Sequence, residues 1–279
     1  MAHALRKVFC ETLGTQLTLP ERLQRIVSFS PAVTETLFLV GAGDSIAGVS
    51  AFCARPEEAR KKRVIGSYNT IDTKLLKEIN PDLIFTVTGY QREFAVQLSK
   101  DMPVYAIELP VSVAGIVEMV MKIGLITNRI PDAAALSRLL HETIAQLTSV
   151  EERLRVYVEI DFSGPVSFGA YSYITDALRL LGVESIYGKE ACEWLTPDMD
   201  FVKQADPDVI LYEAKMYSRF NETDLHNLVE KRGWSDLQAV RQHRIFMTPG
   251  PLDFLAHHGP SFITTAMPWL RKHLNLSLS

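Results

Sequence analysis

Aromatic residues recur where short apolar runs of the sequence give way to polar, glycine-containing segments. Eight of them form the candidate ligand-contact set: Phe52, Tyr68, Tyr90, Tyr171, Tyr173, Trp194, Tyr217 and Phe254. A flat ring at such a place stacks on a planar ligand and gains both burial and a stacking contribution. Any single ring is explained equally well as part of a hydrophobic core. Their concentration after predicted strands favours ligand contact for the set, and Tyr68, Tyr90 and Trp194 are the best individual candidates.

Other side chains near these rings have chemistry of their own. His257 and His258 are adjacent, and an imidazole can coordinate the metal of a bound chelate or donate a hydrogen bond to it. A solvent-exposed or helix-capping pair is the alternative. Cys53 offers a thiolate or, more simply, a small buried side chain. Lys215 and Arg219 suit an anionic substituent, with a solvated pair as an equal alternative.

An enzymatic site is a further alternative, built from ionisable residues that lie far apart in the sequence. Its members would be His257, His258, Glu159, Asp161 and Glu213. The sequence contains no P-loop, GxGxxG fingerprint, HExxH zinc site or GxSxG elbow. We therefore favour a binding protein over an enzyme. A purely structural interaction protein ranks third.

Composition narrows the possible partners. The chain has 279 residues, 47% of them hydrophobic, and a net charge of −4. Without a basic excess, nucleic acid and anionic membranes gain little attraction. The most apolar segment, residues 113–126, carries Glu118 and Lys122 and is shorter than the roughly 20 residues that span a bilayer. We expect a monomer that does not span the membrane.

The N-terminus lacks the apolar core and the small-residue cleavage site of a signal peptide. The sequence therefore predicts a cytoplasmic protein if the chain is complete as given. It predicts a periplasmic or extracellular-facing protein if a leader has been removed.

Strands and helices alternate along the chain. Residues 25–30 form a β-branched run, and Ser30-Pro31 supplies an N-cap and a first-turn proline for a helix that stops at Gly41. The order β-α-β-α-β follows in each half and predicts mostly parallel sheets flanked by helices. Because the carboxyl ends of parallel strands share one edge, the loops that carry the rings should meet there.

The two halves also share short sequence motifs. The run TETLFLVG at residues 34–41 returns loosely as TDALRLLG at residues 175–182, and NPDLIF at 80–85 returns as DPDVIL at 206–211. Matching patterns in the same order, at separations beyond a solenoid period, predict two similar α/β lobes. Two lobes form a cleft, and a cleft is a common place for a ligand.

A segment of different character separates the halves. From Asp132, apolar residues follow three- and four-residue spacing through Leu136, Leu140, Ile144, Leu147, Val150 and Leu154. This pattern predicts one long connecting helix of about 30 Å, at roughly 1.5 Å per residue. The predicted domains are an N-terminal lobe at 1–128, the connecting helix at 129–153 and a C-terminal lobe at 154–279. A stiff helical connector predicts only modest movement of the lobes on binding.

In these features the chain resembles the substrate-binding proteins that serve ABC importers of cobalamin, haem and ferric siderophores. The resemblance rests on QRIVSFSPAVTETLF at residues 24–38, INPDLI at 79–84, VYVEI at 156–160 and ADPDVI at 205–210, in that order. It implies two α/β lobes on a helical backbone. It also implies capture of a metal chelate in the interlobe cleft, as a ligand rather than an intrinsic cofactor, and delivery to a permease.

The resemblance further implies how such a protein docks. Importer-linked members carry one exposed acidic residue per lobe, seven places before the proline of the Pro-Asp pair. Those places are Lys74 and Asp200 here, with Asp72 two residues from the first. Because a lysine there opposes attraction to permease arginines, a binder that does not feed a standard permease is an alternative.

A corrinoid is the first choice of ligand, with a ferric siderophore or haem second. A corrinoid presents a large, weakly charged face, which suits aromatic contacts without an arginine cluster. A trianionic catecholate complex calls for several positive side chains, and the evident candidates are Lys215, Arg219 and Arg92. The alternative of another class is a chelatase-like enzyme that processes a metal chelate.

Overall fold

The computed structural model describes residues 4–148 and 154–274. The chain divides into two compact units. The N-terminal unit comprises Met1–Leu109 and Ile116–His141, and the C-terminal unit comprises Pro110–Gly115 and Glu142–Ser279. The domain limits at 128 and 153 stay a prediction.

The N-terminal unit begins with a hairpin and continues as alternating strands and helices. Its elements are β1 (Leu5–Cys10), β2 (Thr15–Pro20), β3 (Ile26–Ser28), α1 (Pro31–Leu39), β4 (Ile46–Ser50), β5 (Val64–Gly66), α2 (Thr73–Ile79), β6 (Leu83–Val87), α3 (Arg92–Leu98) and β7 (Val104–Ile107). The predicted β-α-β-α-β order of this half is confirmed, and β3 and α1 lie within two residues of their predicted limits. The β1–β2 hairpin and β5 were not predicted.

Five of these strands form one parallel sheet in the order β5-β4-β3-β6-β7. Its central strands are wholly buried, as the apolar run from Leu83 to Val87 predicts for a strand covered on both faces. The carboxyl ends of all five strands lie at one edge. The loops that leave this edge carry Phe52, Tyr68 and Tyr90.

The local sequence determines where helix α1, which follows β3 at this edge, begins and ends. The Ser30 side chain accepts a hydrogen bond from the Val33 amide at 3.4 Å, and Pro31 occupies the first turn. Gly41 ends the helix with φ of 73°, a backbone conformation that costs a glycine nothing. Seven of its nine residues are buried, so α1 packs inside the unit.

Two longer helices, α4 (Val113–Ile126) and α5 (Ile130–Leu147), contain residues of both units. Helix α4 coincides with the most apolar segment of the sequence, residues 113–126. Helix α5 has 18 residues and stops at Leu147, so the prediction that it reaches Leu154 is wrong. Leu154 instead precedes the first strand of the second unit, and Val150 lies outside the described residues.

The C-terminal unit repeats the alternation with additional short strands. Its elements are β8 (Arg155–Asp161), β9 (Pro165–Phe168), α6 (Tyr173–Leu180), β10 (Glu184–Ser185), β11 (Trp194–Leu195), α7 (Met199–Ala205), β12 (Val209–Glu213), α8 (Glu222–Arg232), α9 (Gln238–Arg241), β13 (Ile245–Met247) and α10 (Met267–His273), the last preceded by a π-helical turn. The sheet has the order β11-β9-β8-β12-β13, with β10 beside β8.

This second sheet is parallel through β10, β8, β12 and β13 but antiparallel at β9 and β11. The cause is a tight turn after β8, in which Asp161 Oδ1 accepts hydrogen bonds from the Ser163 and Gly164 amides at 2.8 and 3.0 Å. A connection this short can join only antiparallel strands. The predicted mostly parallel sheet is confirmed, with an antiparallel edge that the sequence did not reveal.

The sequence repeat corresponds to a repeated piece of structure. Asn80 and Asp206 end α2 and α7 in the left-handed region, with φ of 47° and 43°. The aspartate two residues later then caps the entry to a central strand. Asp82 Oδ2 accepts from the Arg25 amide at 2.9 Å before β3, and Asp208 Oδ2 accepts from the Arg155 amide at 2.7 Å in β8.

Candidate functional site

The loop of Tyr68 is a tight turn after β5. The Ser67 amide donates to the Thr70 carbonyl at 3.0 Å, and the two hydroxyls lie 2.6 Å apart. A side chain at Gly66 would collide with the Thr70 carbonyl oxygen, so the turn requires glycine there. Tyr68 at the tip is 36% exposed, and its ring stacks on Phe52 with centroids 4.6 Å apart. Phe52 and Tyr68, both members of the candidate set, are therefore in contact with each other.

Tyr90 lies in a short 3-10 turn between β6 and α3. Gly89 has φ of 72°, which reverses the chain after the strand. Tyr90 is then 76% exposed, whereas its neighbour Gln91 is fully buried. Two adjacent side chains therefore lie on opposite sides of the turn.

Below these loops lies a buried polar cluster. The Thr34 hydroxyl donates to Cys53 Sγ at 3.0 Å, and the hydroxyls of Thr34 and Ser28 lie 2.9 Å apart. Ser50 Oγ is 3.3 Å from the same sulfur. Cys53 is only 4% exposed, so the interpretation of a small buried residue is confirmed. The Ser30 cap is also fully buried, which leaves it inside the unit rather than at its surface.

In the C-terminal unit, Tyr171 and Trp194 are 55% and 46% exposed. The segment that carries Trp194 folds back on the end of β9, where the Tyr171 amide donates to the Cys192 carbonyl at 3.0 Å. Gly169 allows this approach, since an added Cβ would collide with the Cys192 carbonyl and sulfur. The two exposed rings therefore sit on backbone segments that are hydrogen-bonded to each other.

Tyr173 and His257, two other predicted ligand-contact residues, are buried. Tyr173 is 6% exposed, and its hydroxyl donates to the Leu255 carbonyl at 2.8 Å while its ring packs edge-on against Phe262. His257 is 2% exposed with Nδ1 3.6 Å from Asp253 Oδ2, and His258 packs beside Tyr173. The expectation of a solvent-exposed histidine pair is wrong for His257. These side chains belong to the interior of the C-terminal unit.

The remaining predicted residues lie on the loops after β12 and β13. Phe254 packs edge-on against Trp269 with centroids 5.5 Å apart, and Tyr217 is 52% exposed with φ of 63°. The Tyr217 amide donates to the Pro251 carbonyl at 2.7 Å, which joins the two loops. A cavity of about 280 Å³ lies between them, and Lys215 at its edge donates to Ser163 Oγ at 2.7 Å.

Glu213 holds the second of these loops from beneath. It is the last residue of β12 and is buried, and its carboxylate accepts hydrogen bonds from the Leu255 and Ala256 amides. Burial raises the pKa of Glu213 to about 7, although the hydrogen bonds from these amides and from Phe254 favour the charged form. The side chain is thus committed to fixing the loop that carries Phe254 and the histidines.

The Glu159 carboxylate is likewise occupied by contacts within the unit. It accepts from the Tyr157 hydroxyl at 2.6 Å and pairs with Arg232 at 2.7 Å, deep in the unit. Burial raises the pKa of Glu159, against the hydrogen bond from Tyr157 and the charge of Arg232. Among residues 4–148 and 154–274, no three or more His, Cys, Asp or Glu side chains are grouped to hold a metal ion. The chelatase-like alternative gains no support.

The predicted docking positions occupy equivalent places in the two units. Lys74 and Asp200 are both the second residue of their helices, α2 and α7, and both are exposed. Asp72 and Asp198 are the N-caps of these helices, since they accept from the Leu75 amide and the Asp200 amide, each at 2.9 Å. Asp72 is therefore a helix cap as well as a surface carboxylate.

Sequence reasoning missed Gln91. Its amide makes three hydrogen bonds, to the end of β6 and to two loops distant in the sequence. A glutamine after Gly-Tyr has no local pattern that distinguishes it from a solvated one. The only hint was its place beside Tyr90, at the end of a buried strand.

Across the part of the chain that the structure describes, no helix combines the length and the apolar character needed to cross a bilayer. The two units, each built on a mostly parallel sheet covered by helices, define a two-lobed α/β protein.

Comparison with known proteins agrees with that class. A family model described as periplasmic binding protein matches residues 26–252. The chain therefore belongs to the periplasmic binding protein family, as the motifs of the sequence indicated. Members of this family bind solutes for transport.

Individual relatives are distant. An uncharacterized ABC transporter substrate-binding lipoprotein of Bacillus subtilis, YvrC, is 22% identical over 88% of this chain and 79% of its own length. A vitamin B12-binding protein of Yersinia pestis is 23% identical over 70% of this chain and 71% of its own. The periplasmic haem-binding protein RhuT of Roseiflexus has a TM-score of 0.73 at 19% identity, covering 90% of this chain and 97% of that one.

Proposed function

We propose that the protein captures a metal chelate, with a corrinoid as the first choice, and presents it to an ABC importer on the outer side of the cytoplasmic membrane. The observation that carries the proposal is the pattern of exposed rings at the strand ends of both units. Tyr68, Tyr90, Tyr171 and Trp194 leave between 36% and 76% of their surface open to solvent. Large exposed aromatic surface on loops after strands is typical of a ligand contact.

The charges on the loops after β12 and β13 favour a weakly charged ligand. Lys215 and Arg219 are exposed on the first loop, but Asp253 lies on the second. A strongly anionic guest needs a net positive surface, whereas the face of a corrinoid needs mainly apolar contact area.

The similarity to a vitamin B12-binding protein supports the same choice. Haem is the second candidate, because a haem-binding protein shares the fold over 90% of the chain. A flat porphyrin would use the same rings, and its propionates would suit Lys215.

Delivery to an importer is supported by the relationship to an ABC transporter substrate-binding lipoprotein. Asp200 supplies an exposed carboxylate on α7 for a permease arginine. Lys74 supplies the opposite charge at the equivalent place on α2, so we expect docking to depend mainly on the C-terminal unit.

Titration of the purified protein with cyanocobalamin, cobinamide, haemin and a ferric siderophore tests the proposal, with calorimetry as the readout. We expect micromolar or tighter binding to one class, with cyanocobalamin or cobinamide first. Tyr90→Ala and Trp194→Ala should each weaken binding about tenfold, since a stacked ring contributes about 1–1.5 kcal/mol beyond its buried area.

The matched control is Phe9→Ala, which removes an exposed ring from the β1 strand. It should leave affinity unchanged. Binding of none of the four chelates would refute the proposed function. Equal affinity of wild type and both ring variants would remove those rings from the site.

A further inference from the structure

Gln91 is a buried, hydrogen-bonded polar side chain at the ring-bearing edge of the N-terminal unit. It is fully buried in the 3-10 turn that precedes α3. Its Oε1 accepts from the Val87 amide at 2.9 Å, and its Nε2 donates to the Phe29 carbonyl at 3.1 Å and to the Tyr68 carbonyl at 2.7 Å. One acceptor and both donor hydrogens of the amide are therefore used.

Two of the three partners lie on other strand-end loops, since Phe29 follows β3 and Tyr68 is at the tip of the turn after β5. The third, Val87, is the last residue of β6, four residues before Gln91. The Gln91 side chain therefore ties together segments 62 and 23 residues away in the sequence. A short polar side chain that joins three backbones limits how far each loop can move relative to the others.

The hydrogen bonds of Gln91 bear most directly on the two exposed rings of this edge, Tyr68 and Tyr90. Tyr90 is the residue directly before Gln91, and the Tyr68 carbonyl accepts its shortest hydrogen bond. The Ser67–Thr70 turn and the ring of Phe52 also hold Tyr68. Without Gln91, the turn would keep its internal hydrogen bonds but lose the one that Gln91 supplies from the strand-end region.

We propose that Gln91 is the positioning residue of the ligand site, which holds the Tyr68 and Tyr90 loops in the geometry that binds the chelate. The inference rests on the proposed function for its ligand, and on the hydrogen bonds alone for its effect on the loops. Gln91 is buried and acts without touching the ligand. It acts by reducing the conformational freedom that the two loops would lose on binding.

Gln91→Met tests this, because methionine has similar length and offers neither the N–H donors nor the carbonyl acceptor. Gln97→Met on the exposed face of α3 is the matched control. We expect Gln91→Met to raise the Kd for cyanocobalamin or haemin about tenfold under conditions where the variant is fully folded. A Kd within twofold of wild type would overturn the inference.

A double-mutant cycle separates positioning from general destabilisation. If Gln91 acts through the Tyr68 loop, Tyr68→Ala should cost less affinity in the Gln91→Met background than in wild type. Strict additivity of the two losses would contradict the proposal, because it would mean that the two residues act independently.

A readout without ligand keeps the inference testable if the protein binds none of these chelates. In Gln91→Met, amide hydrogen exchange of residues 66–71 should accelerate at least fivefold, whereas in Gln97→Met it should not change. Failure of wild type to bind would refute the proposed function alone. Unchanged exchange in Gln91→Met would refute the positioning role.

Gln91→Glu covers the case in which Gln91→Met does not fold. The carboxylate keeps an acceptor for the Val87 amide and loses both donors, so binding at pH 8 should be weak. Protonation restores one O–H donor, so its affinity relative to wild type should recover at pH 5. Equal loss at both pH values would contradict the role of the donors.

Discussion

Replacing Glu213 by glutamine should remove a specific pH dependence from the stability of the C-terminal unit. The side chain is buried at the end of β12, and its carboxylate accepts from the Leu255 and Ala256 amides. Burial raises its pKa from the usual 4.5 to about 7. In the unfolded chain the same group loses its proton near 4.5.

The sign of the effect follows from these two values. Between about pH 4.5 and 7 the folded protein keeps a proton on Glu213 that the unfolded chain has released. The free energy of unfolding contributed by this group is therefore fully present below pH 4.5 and is lost as pH rises through 7. The gap of about 2.5 pH units, at about 1.4 kcal/mol each, is worth about 3 kcal/mol.

The assay is urea unfolding of wild type and Glu213→Gln between pH 4 and 8.5, followed by tryptophan fluorescence. All three tryptophans, Trp194, Trp234 and Trp269, belong to the C-terminal unit, so the signal reports on the part that contains Glu213. The free energy of wild type minus that of the variant should fall by about 3 kcal/mol from pH 4 to pH 8.5.

The prediction concerns the difference between the free energies of unfolding of wild type and Glu213→Gln at each pH, rather than either free energy alone. Burial also raises the pKa values of Glu159 and Glu193, which add a slope common to both proteins. Glu118→Gln, an exposed change on α4, should leave the slope as it is. If the difference between wild type and Glu213→Gln changes by less than about 1 kcal/mol over this range, the argument from burial is wrong.

Three further outcomes follow from the geometry. Gly66→Ala should lower both stability, by about 1–3 kcal/mol, and chelate affinity, because the new Cβ collides with the Thr70 carbonyl and displaces the turn; thermal melts and calorimetry check this. Asp82→Ala should cost about 2 kcal/mol in urea unfolding, since it leaves the amide and guanidinium of Arg25 without their carboxylate. Lys74→Glu should tighten association with a cognate permease about two- to fivefold in a pull-down titration, and weaker association would contradict the charge argument.

Much of the fold was predictable because its signals are local. Ser30-Pro31, Gly41 and the two Pro-Asp pairs act through capping hydrogen bonds that span two to five residues. Those bonds form wherever the local sequence allows them. The repeated order of strands and helices, and with it the family, was therefore visible before any coordinates.

The candidate site was less predictable. Tyr90 was correctly expected on a loop after a strand, whereas Trp194 is the first residue of β11 rather than a loop residue; both are exposed. Tyr173 and His257 carry the same kind of signal and are buried: the Tyr173 hydroxyl donates to the Leu255 carbonyl of the loop after β13, and His257 lies within that loop. Residue type and nearness to a strand end do not distinguish these two outcomes.

The sequence by itself determined the element order, the helix caps and the resemblance between the two halves. Only the tertiary structure decided which rings face solvent and which polar groups join the loops. Gln91 reaches a carbonyl 62 residues away and Glu213 an amide 42 residues away. Burial and hydrogen bonds over such separations depend on how distant segments pack, and no window of neighbouring residues contains that information.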